Sequence, residues 1–223
     1  MPERQTSHVS MQLDYVTFNQ RADRSRYIAD RFSKYLSGNV LDVGCDKAVL
    51  RDLVAGIEYT GIDVAGTPDI VLNLDQVDRL PFDDNAFDCT VCSDVLEHLD
   101  NLHLIFSELV RVTRNHLIIS LPNNWANARR PIERGKGSIA HYGLPSTRPA
   151  DRHKWFFGFS EAVEFAKDQE RHLPIGLQAL IANDKPRVRL IRLLRNLRYG
   201  RGNRYLNRYA HTVWAIYAKH SSS

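Results

Sequence analysis

Residues 40–50, VLDVGCDKAVL, constrain the fold more than any other stretch of this 223-residue chain. An apolar run carries an acid, Asp42, at its end, a glycine follows that permits a tight turn, and helix-forming residues come next. A strand–turn–helix unit of this kind turns backbone N–H groups and a helix N-terminus toward a polar ligand, with Asp42 at the strand end. A second short strand, EYTGID over 58–63, also ends in an acid, Asp63. That acid falls about 20 residues after the first, where a dinucleotide-type fold uses a carboxylate to accept hydrogen bonds from ribose hydroxyls.

The rest of the chain repeats the alternation. Helical spacing runs over 20–37 and stops at Gly38. Strands are expected at 40–43, 59–62, 70–72, 88–93, 117–121, 172–181 and 212–218, with helices at 47–55, 102–112 and 160–168, the last capped by Ser160. The runs VLDV, CTVC and LIISL lack two-residue alternation, as strands buried on both faces do. This predicts an α/β fold with a doubly wound parallel sheet. One domain is expected over 1–223, with an N-terminal extension at 1–19, a long Pro-, Gly- and Arg-rich loop within 122–157, and a basic amphipathic insertion at 185–208 before the last strand.

Three further segments complete a pattern: LDQ at 74–76, LPF at 80–82, and FDCTVCSDVLEH at 87–98. With these the chain resembles the class I S-adenosylmethionine-dependent methyltransferases, in particular the type 11 group, over about residues 26–123. The resemblance implies a Rossmann-like, mostly parallel seven-stranded sheet with an antiparallel last strand, and S-adenosyl-L-methionine as cofactor. It implies that Asp42, Gly44, Cys45 and Asp46 meet the methionine end, Asp63 and Val64 the ribose, Asp75 and Gln76 the adenine, and Ser93 the methionyl amino group. The family's C-G-x-G is here Cys45, Asp46, Lys47 and Ala48. Aspartate and alanine tolerate a left-handed backbone better than most non-glycine residues, so cofactor binding is expected to survive the change.

Methyl transfer requires that an acceptor be aligned and often relieved of a proton. His98, just past the fourth strand, either lines an acceptor pocket or closes a structural hydrogen bond. His141, Asp151 and His153 in the long loop are the candidate bases, and DRHKWFF at 151–157 suits either a lid over a polar acceptor or a helix entry with core aromatics. Pro122, Asn123 and Asn124 stand where an acceptor would face the sheet. No metal site is expected: Cys89 and Cys92 form a C-x-x-C, but within a strand they point to opposite faces, and Cys45, Cys89 and Cys92 read as buried structural thiols.

Charge separates the chain into two unlike parts. All 26 acidic residues lie within 1–184, with 20 of the 30 basic ones; the other ten basic residues follow with no acid among them. The stretch 186–199, PRVRLIRLLRNLRY, reads as an amphipathic helix with Leu190, Ile191, Leu193, Leu194 and Leu197 on one side and Arg189, Arg192 and Arg195 on the other. Arg198, Arg201, Arg204 and Arg208 extend the charge. Such a helix suits an anionic membrane surface or nucleic-acid phosphates, or packs as an ordinary surface helix. No apolar run is long enough to span a bilayer and the first residues carry no hydrophobic signal, so a cytoplasmic protein is expected, with membrane association through 186–208. The leading expectation is O-methylation of a glycan, lipid-linked or small-molecule acceptor. The alternatives are a nucleic-acid methyltransferase and a non-catalytic protein that keeps the cofactor fold.

Overall fold

The computed structural model describes residues 9–139, 141–147, 149 and 151–220. Its elements in chain order are β1 (Met11–Tyr15), α1 (Arg21–Arg31), β2 (Gly38–Val43), α2 (Val49–Leu53), β3 (Ile57–Asp63), β4 (Ile70–Val71), β5 (Phe87–Ser93), α3 (Leu102–Val112) and β6 (Thr113–Pro122). Then come α4 (Asn124–Glu133), α5 (Phe159–His172), β7 (Ile175–Asp184), α6 (Arg189–Tyr199), α7 (Asn203–Tyr209) and β8 (Ala210–Lys219). They form one sheet in the order β1-β7-β8-β6-β5-β2-β3-β4. All pairings are parallel except those of β8, which runs antiparallel to both β6 and β7.

The sheet is covered on both faces, which is why its central strands read as unbroken apolar runs. Successive residues of β2 separate cleanly: Leu41 and Val43 pack toward α3 and α5, while Val40 packs toward Ile28 of α1 and Phe32 just past its end. Cys92 sits on the first face and Cys89 on the second, so the C-x-x-C is divided by the sheet; all three thiols are free and buried.

Several expectations need correction. The sheet has eight strands, because β1 lies in the stretch read as an extension. There Asp14 accepts from the Tyr27 hydroxyl at 2.7 Å and from Arg31 Nε at 2.9 Å, fastening an edge strand whose polar composition hid it. The first helix stops at Arg31, and Gly38 opens β2 instead of capping that helix. The loop after β6 contains α4, started by the Asn123 side chain, which accepts from the Ala126 N–H at 3.2 Å. Its arginines and Pro131 made it read as irregular. Helix α5 is capped at Gly158, whose N–H donates to Glu161 Oε2 at 2.7 Å; Ser160 Oγ accepts instead from Asn207 of α7.

The largest correction is the orientation of α6. Of the three roles open to it, packing as an ordinary surface helix would have turned the leucines inward and left a solvated basic face; instead Arg192 and Arg195 are half-buried and the leucines face out. Arg192 stacks over Tyr15 and Arg195 over Tyr209, with ring distances of 4.6 and 4.0 Å. Leu190, Leu193, Leu194 and Leu197 are 54–75% exposed. Among the described residues no helix is long and apolar enough to cross a membrane.

Candidate functional site

The parallel ladder brings the ends of β2, β3 and β5 to one level: Val43 pairs with Ile62 on one side and with Cys92 on the other. Gly44, Asp63 and Ser93 therefore leave the sheet side by side, at the carboxyl edge where open α/β sheets bind ligands. Gly44 has φ +77°, and a Cβ there would stand 2.3 Å from Val95 Cγ2. Asp46 and Ala48 also adopt left-handed backbone, with φ of +49° and +52°. The turn thus keeps a glycine-type path without glycines at those two positions, and Ala48 at the N-cap shortens the expected helix to α2.

Asp63 laces this turn to the next one. Its Oδ2 accepts from the Asp46 N–H at 2.8 Å, and its Oδ1 accepts from the N–H groups of Val64 at 2.6 Å and Ala65 at 3.2 Å. A carboxylate offers about four lone-pair directions, so roughly one remains for a ribose hydroxyl. The expectation that it serves two hydroxyls has to be narrowed accordingly. Val64 exposes its apolar side chain beside it.

Asp42 is buried and accepts from the Tyr59 hydroxyl at 2.7 Å. Burial, outweighing that hydrogen bond, pushes its carboxyl up to about 6, with the Asp63 charge adding to the rise. The Cys45 thiol is pushed up to about 12 by burial and by the carboxylates of Asp42 and Asp63, so it stays neutral. Asp75 and Gln76 stand on the turn Leu74–Gln76, where Gln76 is exposed. Asp75 is already engaged: Oδ1 accepts from the Asp100 N–H at 2.9 Å and Oδ2 from Lys154 Nζ at 2.5 Å. Ser93 Oγ shares a hydrogen bond of 2.9 Å with Ser120 Oγ.

These residues suit an S-adenosyl-L-methionine ligand by the chemistry of their donor set. Two carboxylates and a hydroxyl stand at adjacent strand ends, and the turn at Gly44 has no room for a side chain.

The second half of the site is built from chain segments far apart in sequence. Past β5, the turn Leu96–His98 carries Glu97 and His98. The backbone N–H of Lys154 donates to the Glu97 carbonyl at 2.8 Å, and Trp155 Nε1 donates to the Leu99 carbonyl at 2.7 Å, so residues 151–157 clip onto that turn. His98, His141, Asp151 and His153 are brought together. His98 Nδ1 lies 2.8 Å from Asp151 Oδ1, and His141 Nδ1 lies 3.5 Å from Asp151 Oδ2. The His153 ring stacks on His141 at 4.6 Å and meets His98 edge-on at 4.4 Å. His153 Nδ1 is held by the Tyr142 hydroxyl at 2.8 Å and Asn124 Oδ1 at 3.2 Å.

Burial lowers His98 below the ordinary imidazole value, and burial with two neighbouring imidazoles pushes His153 down to about 3. Both rings are therefore neutral and able to accept. Burial and the Asp94 charge hold the Glu97 carboxyl well above the usual range. Trp155 and Phe156 are exposed, so the reading of residues 155–157 as core aromatics applies only to Phe157, which packs against the core.

Sequence reasoning missed Tyr59, Tyr142 and Lys154, and did not count Glu97 as a site residue. The glutamate was adjacent to His98 in VLEH, and an acid next to a candidate base was the available signal.

Comparison with known proteins agrees with the first half. A family model described as a methyltransferase domain matches residues 41–119. Over 127 residues the chain is 31% identical to the Ubiquinone biosynthesis O-methyltransferase of Glaesserella parasuis serovar 5 (strain SH0165), covering 47% of this chain and 54% of that protein. The match thus spans about half the length of that relative. Among solved structures, the chain is similar to small RNA methyltransferase HEN1 (TM-score 0.57, 17% identity, 94% of this chain and 27% of that one). It is also similar to a SAM-dependent methyltransferase from Archaeoglobus fulgidus (TM-score 0.56, 17% identity, 91% and 96%). At these identities the two structures establish a common fold. The strand-end acids, the glycine-type turn and the methyltransferase-domain match over residues 41–119 converge on β2 to β6, and in this region the chain is similar to the class I S-adenosylmethionine-dependent methyltransferases.

Proposed function

We propose that this protein transfers a methyl group from S-adenosyl-L-methionine to an oxygen of a lipid-linked glycan or small-molecule acceptor. The observation that carries the proposal is the convergence of His98, His141, Asp151 and His153 beside the end of β5. When bound, S-adenosyl-L-methionine supplies a methyl group on a cationic sulfur, whose departure leaves the neutral thioether. Gly44 to Asp46 and Ser93 would hold its methionine end, Asp63 and Val64 its ribose, and Asp75 with Gln76 its adenine. Asp75 would do so while tied to Lys154, which links the donor half to the acceptor segment.

On the acceptor side, a hydroxyl gives up its proton to a neutral imidazole. Asp151 orients both His98 and His141, and a carboxylate beside an imidazole stabilises the cation formed when the proton arrives. Tyr142 and Asn124 hold the His153 ring in place. The exposed Trp155 and Phe156 supply apolar surface of the kind that sugar rings pack against.

The face formed by α4, α6 and α7 supports a membrane-borne acceptor. Arg129, Arg130, Arg134, Lys136, Lys185 and Arg208 line a cleft of about 260 Å³ there. Burial and the charges of Arg187, Arg129, Arg195 and Arg134 lower the Arg130 guanidinium, while Glu133 pairs with Arg129 and Arg208 and Asp184 with Arg195. Beside this cleft the leucines of α6 stand exposed. A leucine row flanked by cations suits a leaflet of anionic lipids, and α4 runs from Asn124 in the acceptor cluster to Arg129 and Arg130 at the cleft.

The test is a screen of glycan, lipid-linked and phenolic acceptors for S-adenosylhomocysteine release, with and without anionic vesicles. A lipid-linked hydroxyl acceptor should turn over fastest on vesicles. Leu193→Asp with Leu197→Asp should cut vesicle binding at least about tenfold while sparing turnover of a soluble acceptor. Turnover on RNA or DNA, lost steeply with salt, would favour the nucleic-acid reading instead.

A further inference from the structure

Two acids three residues apart are treated very differently. Asp94 is paired: Arg24 bridges one oxygen and Ser120 Oγ donates to the other at 2.6 Å. Glu97 is only 1% exposed, and neither of its carboxylate oxygens has a hydrogen-bond partner among the described residues. A buried carboxyl without donors either keeps its proton, as its raised titration implies, or exchanges that proton for a cation. Among the described residues no Lys or Arg side chain pairs with it, although the Arg24 charge acts on it from further off; the nearest basic groups are the imidazoles of His98 and His153. His98 Nε2 lies 3.8 Å from Glu97 Oε1, and one donor atom from each of Glu97, His98 and His153 falls within 4.8 Å of the others.

The rings are also set as metal ligands are set. An imidazole that binds a metal through one nitrogen usually has the other fixed by a carboxylate, carbonyl or other polar partner. His98 Nδ1 is fixed by Asp151 Oδ1 at 2.8 Å and by the Arg152 carbonyl at 3.2 Å, which leaves Nε2 facing Glu97. His153 Nδ1 is fixed by Tyr142 and Asn124, which leaves its own Nε2 as the ligand atom. Two donors of a tetrahedral ion stand about 3.4 Å apart, so a shift of up to about 0.7 Å in each side chain closes the set.

We propose that Glu97, His98 and His153 form a binding site for one divalent transition-metal ion, beside the end of β5. Two imidazoles and one carboxylate suit Zn²⁺, Mn²⁺, Co²⁺ or Fe²⁺ better than Mg²⁺ or Ca²⁺, which prefer all-oxygen sets. Three protein ligands leave coordination positions open, and an acceptor oxygen bound at one of them is a stronger acid than the free hydroxyl. His141 and Asp151 then remain as the pair that takes the proton. This last role rests on the methyl-transfer reading; the ion site itself does not.

Titration of the EDTA-treated, full-length protein with Co²⁺, followed by its visible absorption, and with Zn²⁺ against a chromogenic chelator, tests the proposal. One ion per chain is expected. Glu97→Gln, which keeps the side chain's shape, and His153→Gln should each weaken uptake at least about tenfold. Asp151→Asn, half exposed and touching the ion only through His98, should weaken it by about the same factor. Circular dichroism and S-adenosylhomocysteine binding in the same samples report on folding and on the donor half. No stoichiometric uptake of either ion by the parent protein, or uptake unchanged in both Glu97→Gln and Asp151→Asn, overturns the site. Metal uptake without S-adenosylhomocysteine binding would overturn the methyl-transfer reading and leave the metal site standing.

Discussion

The two halves of the site are made in different ways. The donor half stands on the ends of β2, β3 and β5, where ladder pairing sets the positions of Gly44, Asp63 and Ser93 to within a residue. The acceptor half is assembled from the turn after β5, the start of α4 and residues 141–157, joined by contacts between residues 11 to 54 positions apart. A strand-end site tolerates change in the residue types of its turn, because the backbone path is held from both sides. A loop-built site depends on each of its contacts. The donor half can accordingly place Asp46 and Ala48 at left-handed positions and keep its shape, whereas the acceptor half leaves a buried glutamate unpaired.

The largest effect that would sharpen this contrast is expected at Gly44. In Gly44→Val a side chain is forced into Val95 at a φ of +77°, and S-adenosylhomocysteine binding should fall by at least about a hundredfold in calorimetry. The acceptor half should keep its metal uptake. Loss of both together would mean that the halves are not independent.

Asp42 comes next. Its folded carboxyl titrates at about 6 against an ordinary 3.8, so the folded chain holds a proton more tightly than the unfolded chain. The stability this contributes is fully present below about pH 3.8 and is lost as pH rises through 6. Asp42→Asn removes that loss. Its melting temperature should match the parent's near pH 4 and exceed it above pH 6.5, by an amount equivalent to roughly 2–3 kcal/mol. A difference that is flat with pH would break the account of Asp42 as a desolvated acid.

A smaller gain is expected from Ala48→Gly, which relieves left-handed strain at the N-cap of α2. Thermal unfolding should show up to about 1 kcal/mol of added stability.

The same contrast explains what could be read from the residues. The strands of the donor half were legible, because apolar runs ending in acids are local signals that survive burial on both faces. Helix α3 fell on its expected bounds for the same reason. His98, His141, Asp151 and His153 could be singled out by chemical type, but their proximity depends on a clip between Lys154 and Glu97 that no local pattern encodes. Strand β1 was missed because an edge strand held by Tyr27 and Arg31 needs no apolar alternation. In α6 the periodicity marked two stripes correctly. It could not say which one faces inward, since that was decided by Tyr15 and Tyr209, which offer ring faces to arginines.

The central claim is that the ends of β2 and β3 bind S-adenosyl-L-methionine. The most direct measurement is a calorimetric titration of S-adenosylhomocysteine into the parent protein and into Asp63→Ala, with melting curves of both. The account predicts one site per chain in the parent and binding at least about tenfold weaker in the variant, which loses a charged acceptor. No heat and no thermal shift in the parent, or equal affinity in the two proteins, would contradict it.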